Sequence, residues 1–206
     1  MGGSDQAKSK SSQLPGSGAA RRPEGSDARS IIKAAFLGLY EESDTIKDIP
    51  AERLAREAGY SRAAFYRYYH SVDEVLCELE DETLPTAEST FIVEHVEVIN
   101  SELFIQLYLE YFSRKEDELR ILLSRDAKGR FYRKLSETIL PAFRALSALT
   151  LADEASPEEA DRLAEYLVDT KMNQLRAWAA NPTEPLAEHM RLPLETVERS
   201  FWKKGD

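Results

Sequence analysis

The sequence predicts an all-α protein, and three observations support that fold class. Apolar residues make up 42% of the 206 residues, which is enough to build a buried core. Apolar side chains recur at the helical spacing of three and four residues in several segments. Glycine is scarce after residue 25, which leaves little material for the tight turns of β-hairpins. The glycines of that stretch are Gly38, Gly59, Gly129 and Gly205.

The composition also excludes several classes of site. Cys77 is the only cysteine, so an intramolecular disulfide or a cysteine-based zinc site cannot form. The three histidines lie far apart, without the spacing of metal ligands. No apolar run reaches the roughly 20 residues that span a bilayer, and no signal-peptide core is visible, so we expect a cytoplasmic protein. No catalytic or cofactor-binding motif is recognisable, and we expect neither an enzyme nor a cofactor.

Charge divides the chain unevenly. Residues 1–70 carry 11 basic and 9 acidic side chains, a net charge of +2 within a chain whose formal charge is −10. Residues 1–26 contain five of the nine glycines and few apolar groups, which predicts a flexible basic arm. Its basic residues are Lys8, Lys10, Arg21 and Arg22. An acidic protein can bind nucleic acid only where its cations are concentrated, and this N-terminal third is the candidate.

The first helix and a helix-turn-helix follow the arm. Ile32, Ala35, Phe36 and Leu39 predict the first amphipathic helix. Residues 50–58 predict a short second helix, which Gly59 ends because that position favours a positive φ. A third helix begins after the hydroxyl cap of Ser61 and is expected to run to about residue 69. A further helix should follow, with acidic residues in its first turn.

The third helix has the chemistry to read DNA. Its spacing turns Phe65 and Tyr69 inward and leaves the other side chains more exposed. An arginine at the front of such a helix can reach guanine or phosphate, and alanines let the backbone approach the bases. The alternative is a capped helix with a core aromatic cluster, which occurs in many helical proteins. The candidate DNA-binding residues are Ser61, Arg62, Ala63, Ala64, Tyr66, Arg67 and Tyr68.

Residues 28–80 resemble the N-terminal domain of TetR/AcrR-family transcriptional regulators. The resemblance is carried by Ile31, Ala34, Ala35 and Phe36 in the first helix, by residues 54–61 (LAREAGYS) and by residues 62–69 (RAAFYRYY). It implies that residues 27–72 form a DNA-binding domain and that residues 73–206 form a helical effector-binding and dimerisation domain. Two positions depart from the family. Val72 replaces a common lysine and Pro50 a common threonine, and each change removes a contact to the DNA backbone.

The resemblance continues more weakly into residues 101–146. An aromatic helix, a Leu-Leu-Ser segment and an aromatic-led helix are similar to one family subtype, and Pro141 is expected to kink or interrupt the last of these. Aromatic side chains suit an apolar small molecule. The candidate effector-binding residues are Tyr108, Tyr111, Phe112, Phe131 and Tyr132.

Residues 157–180 predict one long helix with two apolar stripes, of which one can pack on the core and the other on a second copy. A last short helix is expected after Pro193. The alternative is that both stripes bury the core of a single chain. The candidate dimer-interface residues are Tyr166, Thr170, Trp178, Phe201 and Trp202.

Together these features predict a ligand-responsive DNA-binding regulator. The resemblance implies a homodimeric repressor that binds double-stranded DNA at a palindromic operator and is released by a small-molecule effector. The alternative is a helical dimer that binds proteins or small molecules and has lost DNA binding. The acidic charge and the departures at Pro50 and Val72 favour that alternative.

Overall fold

The computed structural model describes residues 25–151 and 155–201. These residues form ten α-helices and one short 3-10 helix, and no strand occurs in the part that is described. The chain is therefore all-α, as predicted. None of the described helices is both long enough and apolar enough to cross a membrane. Most of the predicted arm, residues 1–24, lies outside the described residues, and residue 25 already begins the first helix.

Four helices and the 3-10 helix make up the N-terminal part. They are α1 (Gly25–Glu42), the 3-10 helix (Ile46–Asp48), α2 (Ala51–Glu57), α3 (Arg62–Phe65) and α4 (Val72–Thr83). Helix α1 packs against both α2 and α4. Ile32 and Phe36 of α1 are fully buried, together with Leu54 of α2 and Phe65 of α3. This apolar contact is what holds the short helices in place, because a helix of four to seven residues is not stable alone.

Six helices make up the remainder. They are α5 (Thr86–Glu94), α6 (Ser101–Arg114), α7 (Glu116–Arg125), α8 (Arg130–Thr150), α9 (Pro157–Ala180) and α10 (Leu186–Phe201). Helices α8 and α9 form the most extensive contact, α10 packs on α6, and α5 packs on α8. Helix α9 has the predicted bounds and begins with a reciprocal capping box between Ser156 and Glu159.

The two parts share one buried core. Helix α7 contacts α1 and α4, and the buried apolar side chains are continuous from Ile32 to Leu194. Val72, where the predicted boundary falls, begins α4 and is itself part of that core. Helix α4 therefore joins the N-terminal helices to the rest of the chain.

Two proline predictions concern the C-terminal helices. Pro141 does not interrupt its helix, because α8 runs from Arg130 to Thr150 through it, and a kink at this residue stays a prediction. The ring of Pro141 is exposed while Ile139, Ala142 and Phe143 are buried, so packing on the opposite face keeps the helix continuous. The last helix does not begin after Pro193 but at Leu186, so that proline lies inside α10.

Candidate nucleic-acid interface

The turn between α2 and α3 is a Schellman motif. Gly59 has a φ of 75°, and its N–H donates to the carbonyl of Arg56 at 3.1 Å. The N–H of Tyr60 donates to the carbonyl of Ala55 at 2.8 Å, which completes the pair of bonds that defines the motif. Glycine is needed here because other residues pay a steric cost at positive φ. The turn sets the direction in which α3 leaves α2.

Helix α3 is shorter than predicted. Ser61 caps it as expected, because its hydroxyl accepts a 3.1 Å hydrogen bond from the N–H of Ala64. The helix ends at Phe65 rather than near residue 69. The next residues form a turn with hydrogen bonds between residues three apart, as in a 3-10 helix. The N–H of Tyr68, for example, donates to the carbonyl of Phe65 at 2.9 Å. Residues 61–69 are therefore one helical turn followed by a compact turn, and we call them the α3 segment.

Two buried aromatic residues anchor the α3 segment. Phe65 and Tyr69 are almost fully buried. The hydroxyl of Tyr69 donates to Glu78 Oε1 at 3.1 Å, and the guanidinium of Arg29 lies 4.6 Å from the centre of the Tyr69 ring. Arg29 also donates to the carbonyl of Tyr68 at 2.9 Å. The segment is thus fixed to α1 and to α4 at once.

Electrostatics strengthen that anchor. Burial, together with the charge of Glu78, raises the pKa of Tyr69, so its phenol stays protonated and donates at neutral pH. Burial alone would raise the pKa of Glu78, but the hydrogen bond and charge of Lys33 reverse this and lower it. Glu78 is therefore an ionised acceptor shared by three donors: Arg29, Lys33 and Tyr69. Sequence reasoning missed Arg29 and Glu78, which lie 49 residues apart and carry no local signal.

The opposite side of the α3 segment faces solvent. Arg62, Ala63 and Arg67 are exposed, and Tyr66 is 42% exposed. The guanidinium of Arg62 lies 5.6 Å from the centre of the Tyr66 ring. Neither arginine forms an ion pair with any residue in the described ranges, so both have donors available to a ligand.

The remaining predicted DNA-binding residues are half-buried or already engaged in a hydrogen bond. Ala64 and Tyr68 are half-buried, and Ser61 is exposed but uses its hydroxyl as the cap. The guanidinium of Arg67 lies 5.8 Å from the centre of the Tyr68 ring. All seven predicted residues lie in one segment, and four of them have exposed side chains without a capping role: Arg62, Ala63, Tyr66 and Arg67.

Both family departures have structural consequences. Pro50 occupies the N-cap position of α2, and its side chain makes no capping hydrogen bond. Val72 is buried against the core at the start of α4. Neither side chain offers a polar group to a phosphate.

Three of the predicted effector-binding residues, Tyr108, Tyr111 and Phe112, are in ring contact with one another. Tyr108, Tyr111, Phe112 and Phe131 are buried. The rings of Tyr108 and Phe112 lie 6.2 Å apart, and the hydroxyl of Tyr111 donates to the carbonyl of Thr83 at 3.1 Å. Burial raises the pKa of both tyrosines, so both are neutral. Their part in binding an effector stays a prediction.

Two of these aromatic residues have other neighbours. Tyr132 is half-buried beneath the guanidinium of Arg176, which lies 5.1 Å from its ring centre. Phe131 lines a cavity between the N-terminal helices and the loop from α7 to α8. Tyr108, Tyr111, Phe112 and Tyr132 do not line that cavity.

The predicted dimer residues fall into three groups. Tyr166 is 66% exposed on α9, and Thr170 is half-buried, with its hydroxyl donating to the carbonyl of Tyr166 at 2.8 Å. Trp178 is only 2% exposed, and its indole N–H donates to the carbonyl of Glu184 at 2.8 Å. Its assignment to a dimer interface is therefore corrected, because this side chain belongs to the core of its own chain. The side chain of Phe201, and all of Trp202, lie outside the described residues.

Potential metal ligands are not clustered in the part of the chain that the structure describes. Among the described residues, no group of three or more histidine, cysteine, aspartate or glutamate side chains could hold a metal ion. The thiol of Cys77 is free, and the residue is half-buried on α4.

Solved structures share the architecture of this chain. NalD, the secondary repressor of the MexAB-OprM multidrug efflux pump in Pseudomonas aeruginosa, is 18% identical with a TM-score of 0.61, over 86% of this chain and 97% of NalD. A TetR transcriptional regulator from Streptococcus agalactiae 2603V is 23% identical with a TM-score of 0.55, over 85% of this chain and 96% of that protein. DhaS, an activator of a dihydroxyacetone kinase operon, is 14% identical with a TM-score of 0.54, over 84% of this chain and 94% of DhaS.

The other comparisons add no closer relative. No protein-family model matches the chain, and no curated protein sequence matches it. The alignments nevertheless cover nearly the whole length of these structures, at TM-scores above 0.5. The chain therefore has the fold of the TetR-family transcriptional regulators.

Proposed function

We propose that the chain is a DNA-binding transcriptional regulator whose α3 segment contacts the major groove. The observation that carries the proposal is the division of that segment into two sides. Phe65 and Tyr69 fix it to the core, while Arg62, Tyr66 and Arg67 project from it without an ion-pair partner among the described residues. A segment rigidly mounted with cationic and aromatic groups outward matches the needs of DNA recognition.

Each exposed side chain has a chemical role in this proposal. Arg62, at the first position of α3, can donate two parallel hydrogen bonds to guanine. Ala63 leaves room for the backbone to approach the base edges and can touch a thymine methyl group. Tyr66 and Arg67 can donate to phosphates, which fixes the register of the segment on the duplex.

The same proposal includes a homodimer. A regulator of this kind places two recognition segments about 34 Å apart, one turn of DNA, so its operator is palindromic. The exposed ring of Tyr166 on α9 supports a second copy on that helix, since large exposed aromatic side chains are enriched at interfaces. A chain of net charge −10 can bind a polyanion where its cations are concentrated locally, and each copy would contribute one such segment.

The direction of regulation is proposed as repression that a small-molecule effector relieves. The relief would arise because the effector binds the DNA-incompetent arrangement more tightly than the competent one. NalD is a repressor and DhaS is an activator, so both outcomes occur on this fold. A reporter gene fused to the selected operator distinguishes them: repression is expected to lower its expression and activation to raise it.

The experiment that tests DNA binding is selection from random-sequence duplexes by the full chain, followed by titration of the enriched duplex with salt. We expect a palindrome to be enriched, and its affinity to fall as salt rises because phosphate contacts release counterions. Unrelated DNA should not displace it. If no sequence is enriched, the proposed function is wrong.

A second candidate function has specific support. Pro50 and Val72 offer no group to a phosphate, and the chain is acidic overall. A helical dimer that binds proteins or small molecules and has lost DNA binding would show these features. It becomes the better account if the selection enriches nothing while the chain remains folded and dimeric.

A further inference from the structure

We propose that a cavity at the junction of the N-terminal and C-terminal helices binds a small hydrophobic carboxylate. The cavity has a volume of about 330 Å³, within the range of small-molecule sites. Its walls come from the end of α1, the 3-10 helix, α4 and the loop between α7 and α8. Four of the five aromatic residues predicted to bind the effector do not line it, so this site differs from the one expected from sequence.

The interior offers an apolar surface for the body of a ligand. Leu76 of α4, Leu122 of α7 and Phe131 of α8 are buried side chains that line it, and Ile46 of the 3-10 helix lies half-buried beside them. These groups come from four separate elements. An apolar ligand would bury surface against all four at once, which is the main source of affinity in such sites.

The acidic groups of the inner wall already have donors within the chain. Glu80 is only 4% exposed at its side chain, and its Oε1 accepts hydrogen bonds of 2.7 and 3.1 Å from Arg130. Its Oε2 lies 3.5 Å from the ammonium of Lys134, an ion pair without a hydrogen bond. Asp126 accepts from the backbone N–H groups of Arg130 at 2.7 Å and Tyr132 at 2.8 Å. The charge of Glu80 is therefore matched by two cations, and both oxygens of Asp126 already accept hydrogen bonds.

The basic groups keep donors to spare. Arg125 is half-buried and lines the cavity, and its hydrogen bond to the carbonyl of Glu41 uses one of the five N–H donors of a guanidinium. At the exposed rim, Lys47 and Lys128 face Asp44 and Asp73, and none of these four forms an ion pair with a described residue. The rim charges offset one another. The surplus of donors therefore lies with Arg125 on the inner wall, where a carboxylate can accept two of them.

The position of the cavity gives it a consequence for DNA binding, and this step rests on the proposed function. The 3-10 helix that forms one wall leads within three residues into α2, which carries the turn to α3. The facing wall belongs to the loop between α7 and α8. A ligand that contacts both walls favours one arrangement of the helix-turn-helix relative to the C-terminal helices, and it alters DNA affinity if the competent arrangement differs.

Binding is tested without DNA, by nuclear magnetic resonance or calorimetric titration of the full chain. The probes are octanoate and 2-naphthoate, and octylamine and octanol serve as matched compounds without a carboxylate. Ala127→Trp fills the cavity from its exposed loop, and Arg125→Gln removes the inner cation. Arg133→Gln is the control, because Arg133 is exposed on α8 and does not line the cavity. Circular dichroism establishes that each variant is folded, and Lys128→Gln replaces Arg125→Gln if the latter does not fold.

We expect the carboxylates to bind at least about tenfold more tightly than the amine and the alcohol, as a charge-assisted pair with arginine requires. Ala127→Trp and Arg125→Gln should each weaken binding by about tenfold, and Arg133→Gln should leave it unchanged. The proposal is overturned if the amine binds as well as the carboxylates, if Ala127→Trp has no effect, or if binding does not saturate. A chain that binds octanoate but never binds DNA would contradict the proposed function and leave this site standing.

Discussion

The hydroxyl of Tyr69 donates a 3.1 Å hydrogen bond to Glu78 Oε1, and this bond connects the end of the α3 segment to α4. Lys33 of α1 donates to the same oxygen, also at 3.1 Å. The exposed face of the α3 segment is therefore positioned by a buried phenol and a shared carboxylate rather than by the length of a helix. The short α3 can still present Arg62 and Tyr66 in a defined direction.

Tyr69→Phe tests this anchor. The substitution removes the hydroxyl and keeps the buried ring, so we expect the free energy of unfolding to fall by about 1 kcal/mol. Tyr60→Phe is the control, because Tyr60 is half-buried with its ring against Tyr68 and its hydroxyl has no hydrogen bond in the described structure. Urea unfolding measures both variants. Equal effects of the two substitutions would show that the bond to Glu78 does not stabilise the fold.

The buried ammonium of Lys171 should make the folded chain less stable at neutral pH than at alkaline pH. It is 5% exposed on α9, and burial lowers the pKa of its ammonium to about 8. A lysine in the unfolded chain has a pKa of about 10.4 and so holds this proton more tightly. Below pH ~8 the buried charge therefore lowers the free energy of unfolding by up to about 3 kcal/mol. Lys171→Met should therefore raise the free energy of unfolding at pH 7 by about 1–3 kcal/mol, and the gain should shrink as the pH rises from about 8 to about 10.

Unfolding in urea across that pH range measures the Lys171 effect. Lys128→Met is the control, because Lys128 is exposed and forms no ion pair with a described residue. A loss of stability in Lys171→Met at pH 7 would contradict the prediction.

We expect replacement by phenylalanine to change stability by different amounts at the two buried tyrosines of α6. The hydroxyl of Tyr111 is bonded to the carbonyl of Thr83, whereas that of Tyr108 lies near the hydroxyl of Ser89 without meeting hydrogen-bond geometry. Tyr111→Phe should cost about 1–2 kcal/mol, and Tyr108→Phe should change stability by less than about 1 kcal/mol or increase it. Thermal and urea unfolding compare them. An equal loss in both variants would show that Tyr108 has a partner.

Tyr166→Glu tests the proposed dimer. Tyr166 is exposed on α9, so the substitution should leave the fold of one chain intact while placing a charge in the proposed interface. Analytical ultracentrifugation should show a wild-type dimer and a weaker self-association of the variant, by at least about tenfold. Arg133→Glu, an exposed change on α8, is the control. A monomeric wild type would contradict the dimer proposal.

Local sequence signals predicted the parts of the fold that depend on neighbouring residues. Gly59 and Ser61 marked the turn and the cap because each acts on the backbone within a few residues. The bounds of α9 were predictable because Ser156, Pro157 and the long apolar period lie next to one another in the chain.

Features that depend on contacts between residues far apart in the sequence were not predicted. The interruption expected at Pro141 does not occur, because buried neighbours on the other side of α8 compensate for the missing N–H. Trp178 looked suited to an interface because a helical period cannot tell the chain's own core from that of a second copy. The anchor formed by Arg29, Tyr69 and Glu78, and the cavity beside Arg125, both need elements far apart in sequence.

The most direct test of DNA recognition by the α3 segment compares the affinities of two matched arginine variants for the selected duplex. Arg62→Ala removes the exposed cation at the front of α3, and Arg144→Ala removes one on α8, where Arg144 is paired with Asp161 and Glu165. We predict that Arg62→Ala weakens specific binding by about 1–3 kcal/mol, roughly tenfold or more. Arg144→Ala should leave it unchanged. Equal affinity of both variants for the duplex would contradict the assignment of DNA recognition to the α3 segment.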